Sequence, residues 1–261
     1  MLIFSSLRTL LLTFLSPLIF IETFASVIML ETTYEGSASL PATTPILESH
    51  PHLEEEDGVF IIQDFKDITA INIQGTQYYK LDLTDQNINL EKLEILAKYQ
   101  SHITHLNLSE NSLETRESIA LLPFQALDSL ILRENNFDDK GLEYVGQLIQ
   151  LRALNIKRNE QITSKGIQAL SPLTHLESLD ASCIHLGNEG TRAIIATFPH
   201  LKTVDIHACG LTDGSILTDL LRMEHLKTLN IQSNPINSQE LKSFLQAAKE
   251  KGLSVKSDVQ A

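Results

Sequence analysis

The chain has 261 residues, 33 acidic against 20 basic, and a formal net charge of -13 at pH 7. That balance weighs against nucleic acid as the main partner, because neutralising phosphates takes a surplus of Lys and Arg, and equally against docking on anionic lipid. Its two cysteines, Cys183 and Cys209, make neither a disulfide framework nor a four-ligand zinc set. The hydrophobic fraction is 43% with 6% aromatics and no Trp, which suits a core of Leu and Ile.

Arg8 precedes an apolar run over residues 10–21 that ends at Glu22. Thr23 and Ala25 then put small residues at the third and first places before a cut after Ala25. Residues 1–25 therefore read as a secretory signal peptide, too short in the apolar part for a spanning helix of about 20 residues. A second apolar patch at 27–30 keeps an uncleaved anchor as the alternative, with any membrane contact limited to residues 1–30. No cysteine follows the apolar run closely, so lipid attachment there is not expected. Residues 26–58 lack periodicity, hold Pro41, Pro45 and Pro51 and an acidic run at 54–57, and read as a disordered linker. Residues 59–80 are rich in Ile and Phe. They read as an N-terminal cap, a strand pair turning at Gln74–Gly75.

Residues 81–236 repeat themselves. The pattern is an apolar residue, then Leu-x-Leu, then Asn, then an apolar residue, as in Ile103, Leu106, Leu108, Asn111 and Leu113. First positions fall at Ile103, Leu127, Leu151, Leu176, Leu201 and Leu226, in steps of 24 or 25, and a weaker copy begins at Tyr78. That period means a solenoid of about seven units. Positions four and six alternate with five and seven, the mark of a short strand with one buried face. Position nine reads Gln86, Asn111, Asn135, Asn159, Ile184, Cys209 and Asn234, so an Asn ladder is expected that weakens at Gln86 and breaks at Ile184. Ala181 replaces the usual Leu or Ile, and altered curvature is expected there. Each unit then reads as a helix opening on a capping-type residue, with Gly141, Gly166, Gly190 or Gly214 close behind. Residues 237–261 read as a C-terminal cap. Asn237 and Glu240 make a capping box, Gly252 stops the helix, residues 253–255 add a strand, and the last five residues fray.

These units resemble the ribonuclease-inhibitor-like class of leucine-rich repeats. The resemblance implies an α/β fold: a right-handed solenoid with a parallel concave sheet and convex helices. It is carried by structural residues, so it says little about function. The repeats are also similar to those of secreted effectors of intracellular bacteria. That similarity implies a protein partner, including a host protein, while the signal pattern of residues 1–25 leads us to expect a secreted or periplasmic chain, and a monomer is expected. The alternative is a membrane-anchored or periplasmic structural or adhesion protein.

The outward strand positions define the candidate contact face: Asn107, Ile131, Asn155, Asp180, Asp205 and Asn230 at position five, with Arg133, Lys157, Arg158 and His207 beside them. Arg133, Lys157 and Arg158 form a basic patch next to the acidic pair Asp180 and Asp205, and Ile131 is the apolar exception. An ordinary solvated strand face is the competing reading. Cys183 with His207 is the best nucleophile and base on offer, but no orienting group or oxyanion donor accompanies them. No phosphate loop, G-x-S-x-G elbow or H-E-x-x-H is present. The chain is expected to be no enzyme and to need no cofactor. His102, His175, His200 and His225 each precede a first position, which stacks three of them. A metal cluster is one reading. A recurring polar residue in the turn into the strand is the other, and no metal is expected.

Overall fold

A computed structural model describes residues 54–56, 59–70 and 78–259. The expected signal peptide, most of the expected linker and the expected turn at Gln74–Gly75 lie outside the described residues. One sheet runs through the molecule in chain order, from β1 (Glu54–Glu56) and β2 (Val59–Ile62) to β10 (Ser254–Lys256). Between them come β3 (Tyr78–Asp82), β4 (Ile103–Asn107), β5 (Ser129–Ile131), β6 (Ala153–Asn155), β7 (Ser178–Asp180), β8 (Thr203–Asp205) and β9 (Thr228–Asn230). Only β1 and β2 pair antiparallel, and β2 to β10 are parallel. From β4 to β9 each strand meets the next one repeat later, His105 with Ser129 and Leu106 with Leu130. Pairing passes Ala181 without a shift, Asp180 lying opposite Asp205. Helices α1 (Phe65–Ala70), α2 (Leu90–Leu96), α3 (Thr115–Ser118), α4 (Asp139–Val145), α5 (Ser164–Ala169), α6 (Gly187–Thr197), α7 (Ser215–Arg222) and α8 (Ser238–Lys251) alternate with the strands.

Positions four and six point inward because side chains alternate along a strand. Leu108, Leu132, Ile156, Ala181, Ile206 and Ile231 are all buried in one continuous core. Phe124 and Phe137 are its largest fully buried side chains.

The amino end departs from expectation. A strand pair turning at Gln74–Gly75 requires a strand leading into that turn, but helix α1 covers residues 65–70. The partner of β2 comes instead from the acidic run assigned to the linker, as β1. Strand β2, helix α1 and strand β3 thus follow the order of the later repeats.

Gln86 is also stronger than expected. Its Oε1 accepts from Phe65 N at 2.8 Å and its Nε2 donates to Gln63 O at 2.5 Å, the task Asn performs elsewhere. In the full ladder, Asn111 Oδ1 accepts from Gln86 N and Ile88 N while Nδ2 donates to Leu83 O. Asn135 and Asn234 repeat this one and five units on. Buried backbone groups are thereby satisfied across the repeat boundary. Asn159 also keeps its place, its Nδ2 donating to Leu132 O at 2.9 Å and its Oδ1 accepting from Phe137 N at 3.0 Å, and the ladder is interrupted one unit later, where Ile184 has no side-chain oxygen or N–H to offer. Cys209 resumes the row through its thiol, which donates to Ala181 O at 3.1 Å, and burial pushes that thiol up to about 12.

Helix starts follow two rules. Asn89, Asp138 and Thr163 cap α2, α4 and α5 with their side chains, and Glu114 with Glu117 forms a capping box at α3. Partial burial pushes the Asp138 carboxyl up, but hydrogen bonds from Thr115 and the Gly141 and Lys140 amides outweigh it and hold it below the usual range. At α6 and α7 the capping positions are Leu186 and Gly214, without side-chain caps, contrary to expectation. There Gly187, at φ 59°, donates its N–H to Cys209 O of the next unit.

At the carboxyl end only half of the capping box forms. Asn237 Oδ1 accepts from Gln239 N and Glu240 N, while the Glu240 carboxylate packs over Gly214. Gly252 at φ 76° ends α8 in the left-handed conformation. Residues 257–259 are not frayed. Asp258 Oδ2 accepts from Ser233 N at 2.7 Å, and Val259 packs against the core.

Candidate functional site

Each strand gives way to a turn at positions seven and eight. Asp85, Glu110, Glu134, Arg158, Cys183, Ala208 and Ser233, the position-eight residues, have φ of 53° to 59°. None is glycine, so the usual sequence signal of left-handed backbone is missing. The conformation aims each N–H at the position-seven carbonyl of the next unit, as Glu110 N to Arg133 O at 2.9 Å and Ala208 N to Gln232 O at 2.9 Å. Ser233, the last, uses Asp258.

The position-seven N–H is taken by the position-five side chain in five units of this row. Asn107 Oδ1 accepts from Ser109 N at 3.0 Å, Asn155 from Lys157 N at 3.0 Å, and Asp180 from Ser182 N at 3.0 Å. Asp205 accepts from His207 N at 2.9 Å and Asn230 from Gln232 N at 3.2 Å. This is the local side-chain bonding that Asn and Asp favour in turns. The same side chains pair across repeats, Asn107 to Asp82 at 3.0 Å, Asn155 to Asp180 at 2.9 Å and Asn230 to Asp205 at 2.8 Å. The sequence reading gave these five residues to a partner, and the structure ties each to the scaffold. The missed signal was the Asx-x-(position seven) spacing itself. Ile131 interrupts the row and is half-buried rather than fully exposed.

The basic patch is mostly internal as well. Arg133 pairs with Glu110 and with Glu134 at 3.3 Å, and Arg158 with Glu134 at 2.8 Å. The Arg158 guanidinium meets the Cys183 thiol and then Glu134, and both raise its proton affinity. Among the described residues Lys157 has no ion pair. It is the patch's one uncommitted charge.

Cys183 and His207 meet through backbone, Cys183 N donating to His207 O at 2.8 Å. The Cys183 thiol turns to Arg158, and His207 Nδ1 is buried without a hydrogen-bond partner among the described residues. No thiol–imidazole couple results. Cys183 and Cys209 are both free thiols. Along the other edge of the sheet, Asp128, Arg152, Glu177 and Lys202 alternate in sign at position two, at 3.2, 3.1 and 2.6 Å. The Lys202 ammonium, aided by Arg152, holds the Glu177 carboxyl below its ordinary range. The rings of His200 and His225 lie 5.3 Å apart, tilted by 51°.

A leucine-rich-repeat family model matches residues 150–171 and 222–242. Those segments begin at the units of Leu151 and Leu226, and the strand, turn and helix geometry recurs at every unit between. The chain folds as a leucine-rich-repeat solenoid. No curated protein matches its sequence. Among solved structures, a chain from the Rad7 and Elc1 complex of yeast is similar at 18% identity and a TM-score of 0.51, over 68% of this chain and 46% of that one. An internalin from Listeria monocytogenes is similar at 17% identity and a TM-score of 0.46, over 77% of this chain and 66% of that one. This repeat protein thus spans about half of the first neighbour and under two-thirds of the second. At such identities the likeness concerns fold alone.

Proposed function

We propose that this repeat protein is a non-catalytic scaffold that binds one protein partner on its strand face, with Ile131 and Lys157 as the leading contacts. The observation that carries this reading is the satisfied position-five row. Side chains already fixed by internal hydrogen bonds lose little freedom on binding, which lowers the cost of association. Within that fixed frame Ile131 offers apolar area and Lys157 an unpaired charge, a combination suited to a partner with an acidic group beside an apolar one. The neighbour crystallised as a Rad7 and Elc1 complex gives precedent for a repeat chain in a protein assembly.

The test is a photo-crosslinking amino acid at 131 or 157, against the same group at Glu143 on α4. Discrete adducts of one mass from the first two sites and none from the third are expected. With that partner purified, Ile131→Asp combined with Lys157→Glu should weaken binding at least tenfold without lowering Tm. Adducts spread evenly over both faces would sink the reading.

The partner, on this proposal, lies outside the producing cell, and a host protein fits the resemblance to secreted effectors. The signal pattern at residues 1–25 supports export. Sequencing the mature amino terminus is expected to start near Ser26, in an extracytoplasmic fraction. Met1 retained in a membrane fraction would favour the anchored alternative, and Met1 in the soluble cytoplasm would rule out both.

A further inference from the structure

The column of histidines at the turns into β8 and β9 plays no part in the contact face. His200 and His225 are both exposed, one repeat apart, with centroids 5.3 Å from each other and planes tilted by 51°. Among the described residues neither ring nitrogen pair has a hydrogen-bond partner, whereas His175, one repeat earlier, contacts Thr174 Oγ1 at 3.4 Å. Neighbouring cations do not crowd the pair equally: Lys202, two residues past His200, is neutralised by Glu177 at 2.6 Å. Glu224 precedes His225 in the chain and is exposed.

A ring nitrogen sits about 1 Å from its centroid, so two exposed rings at this separation need only rotate about their side-chain bonds to set one nitrogen each at about 2.0–2.1 Å from a shared ion. The solenoid supplies the distance, since parallel strands repeat at about 4.8 Å. Imidazole suits zinc, copper and nickel, while magnesium and calcium prefer oxygen.

We propose that His200 and His225 form an exchangeable site for a divalent transition-metal ion of the zinc, nickel and copper group. Among the described residues no three potential ligands converge, so two positions are filled by imidazole and water completes the shell. Such a site is open, and its occupancy falls in acid because the ligating imidazoles must be unprotonated.

The test is calorimetric titration of the purified full chain with zinc, and separately with magnesium. One equivalent of zinc and no magnesium binding are expected. His200→Gln and His225→Gln should each weaken zinc at least tenfold, while His185→Gln and Cys183→Ser leave it unchanged. Nitrogen-detected NMR of the histidine rings should show both His200 and His225 shifting on addition of zinc. The proposal is overturned by absence of binding up to about 1 mM zinc, by undiminished binding when His200→Gln and His225→Gln are combined, by loss on Cys183→Ser, or by an effect of His200→Gln that His225→Gln does not share. All these side chains are exposed or half-exposed, so the variants are expected to keep the Tm of the parent chain.

Discussion

Asn135→Ala is expected to lower the stability of the repeat domain by about 3–5 kcal/mol, read as a shift of the urea midpoint at unchanged slope. Asn135 is buried and serves three chain segments. Its Oδ1 accepts from Asn111 N at 3.2 Å and Leu113 N at 2.9 Å. Its Nδ2 donates to Leu108 O at 2.9 Å, Leu132 O at 3.0 Å and Arg133 O at 3.3 Å. Truncation leaves two amides and the Leu108 carbonyl without these partners, at about 1–3 kcal/mol for each buried group that stays unmet. A water entering the vacated space recovers part of that, which sets the lower figure. Asn136→Ala, one residue on and exposed, is the control and should fall within about 0.5 kcal/mol of the parent. If both variants melt together, the ladder is not what joins the repeats.

Gly146→Ala is expected to destabilise by about 2 kcal/mol. Its φ is -59°, which any residue adopts, so backbone freedom is not the reason for glycine. Space is. A Cβ there would lie 2.6 Å from the Ala169 carbonyl oxygen and 3.3 Å from that of Leu142. The closer atom is backbone of α5, so relief requires α4 and α5 to move apart. Gly166 shows a milder version, where a Cβ would meet Asp139 Oδ1 at 2.5 Å. That carboxylate also accepts from Thr163 N at 2.7 Å and Gly166 N at 3.0 Å, capping the following helix from the preceding one. Gly210→Ala supplies the contrast: φ is 77° with open space around it, so its smaller cost of about 1 kcal/mol comes from conformation alone. Chemical denaturation of the three variants separates the cases. A stable Gly146→Ala would mean the helices are not held at this spacing.

Both results bear on function, because the strand face is only as flat and fixed as the stack behind it. The Asn ladder sets the spacing between units on one side and the glycines set it between helices on the other. Surface pairs such as Arg158 with Glu134 contribute little to that rigidity, being exposed and screened.

The sequence by itself determined the repeat, its period, the strand in each unit and the inward Leu and Ile positions. Those follow from alternation and self-similarity, which are properties of residue order. It also marked the ladder's interruption at Ile184, where an aliphatic side chain offers no hydrogen bond. It did not show that Gln86 reaches back to Gln63 and Phe65, because that bond spans 23 and 21 residues and depends on where α1 lies. Nor did it show that the position-five Asn and Asp are occupied, since an Asn facing outward reads the same whether it awaits a partner or caps its own turn. The left-handed backbone at position eight was hidden for a related reason: seven ordinary residues adopt it because the neighbouring unit's carbonyl, or for Ser233 the Asp258 carboxylate, accepts their amides. The repeat period already stacked His200 and His225 one strand apart, while the 51° tilt of their rings belongs to the tertiary structure. There stacking is set by contacts between residues some 25 positions apart.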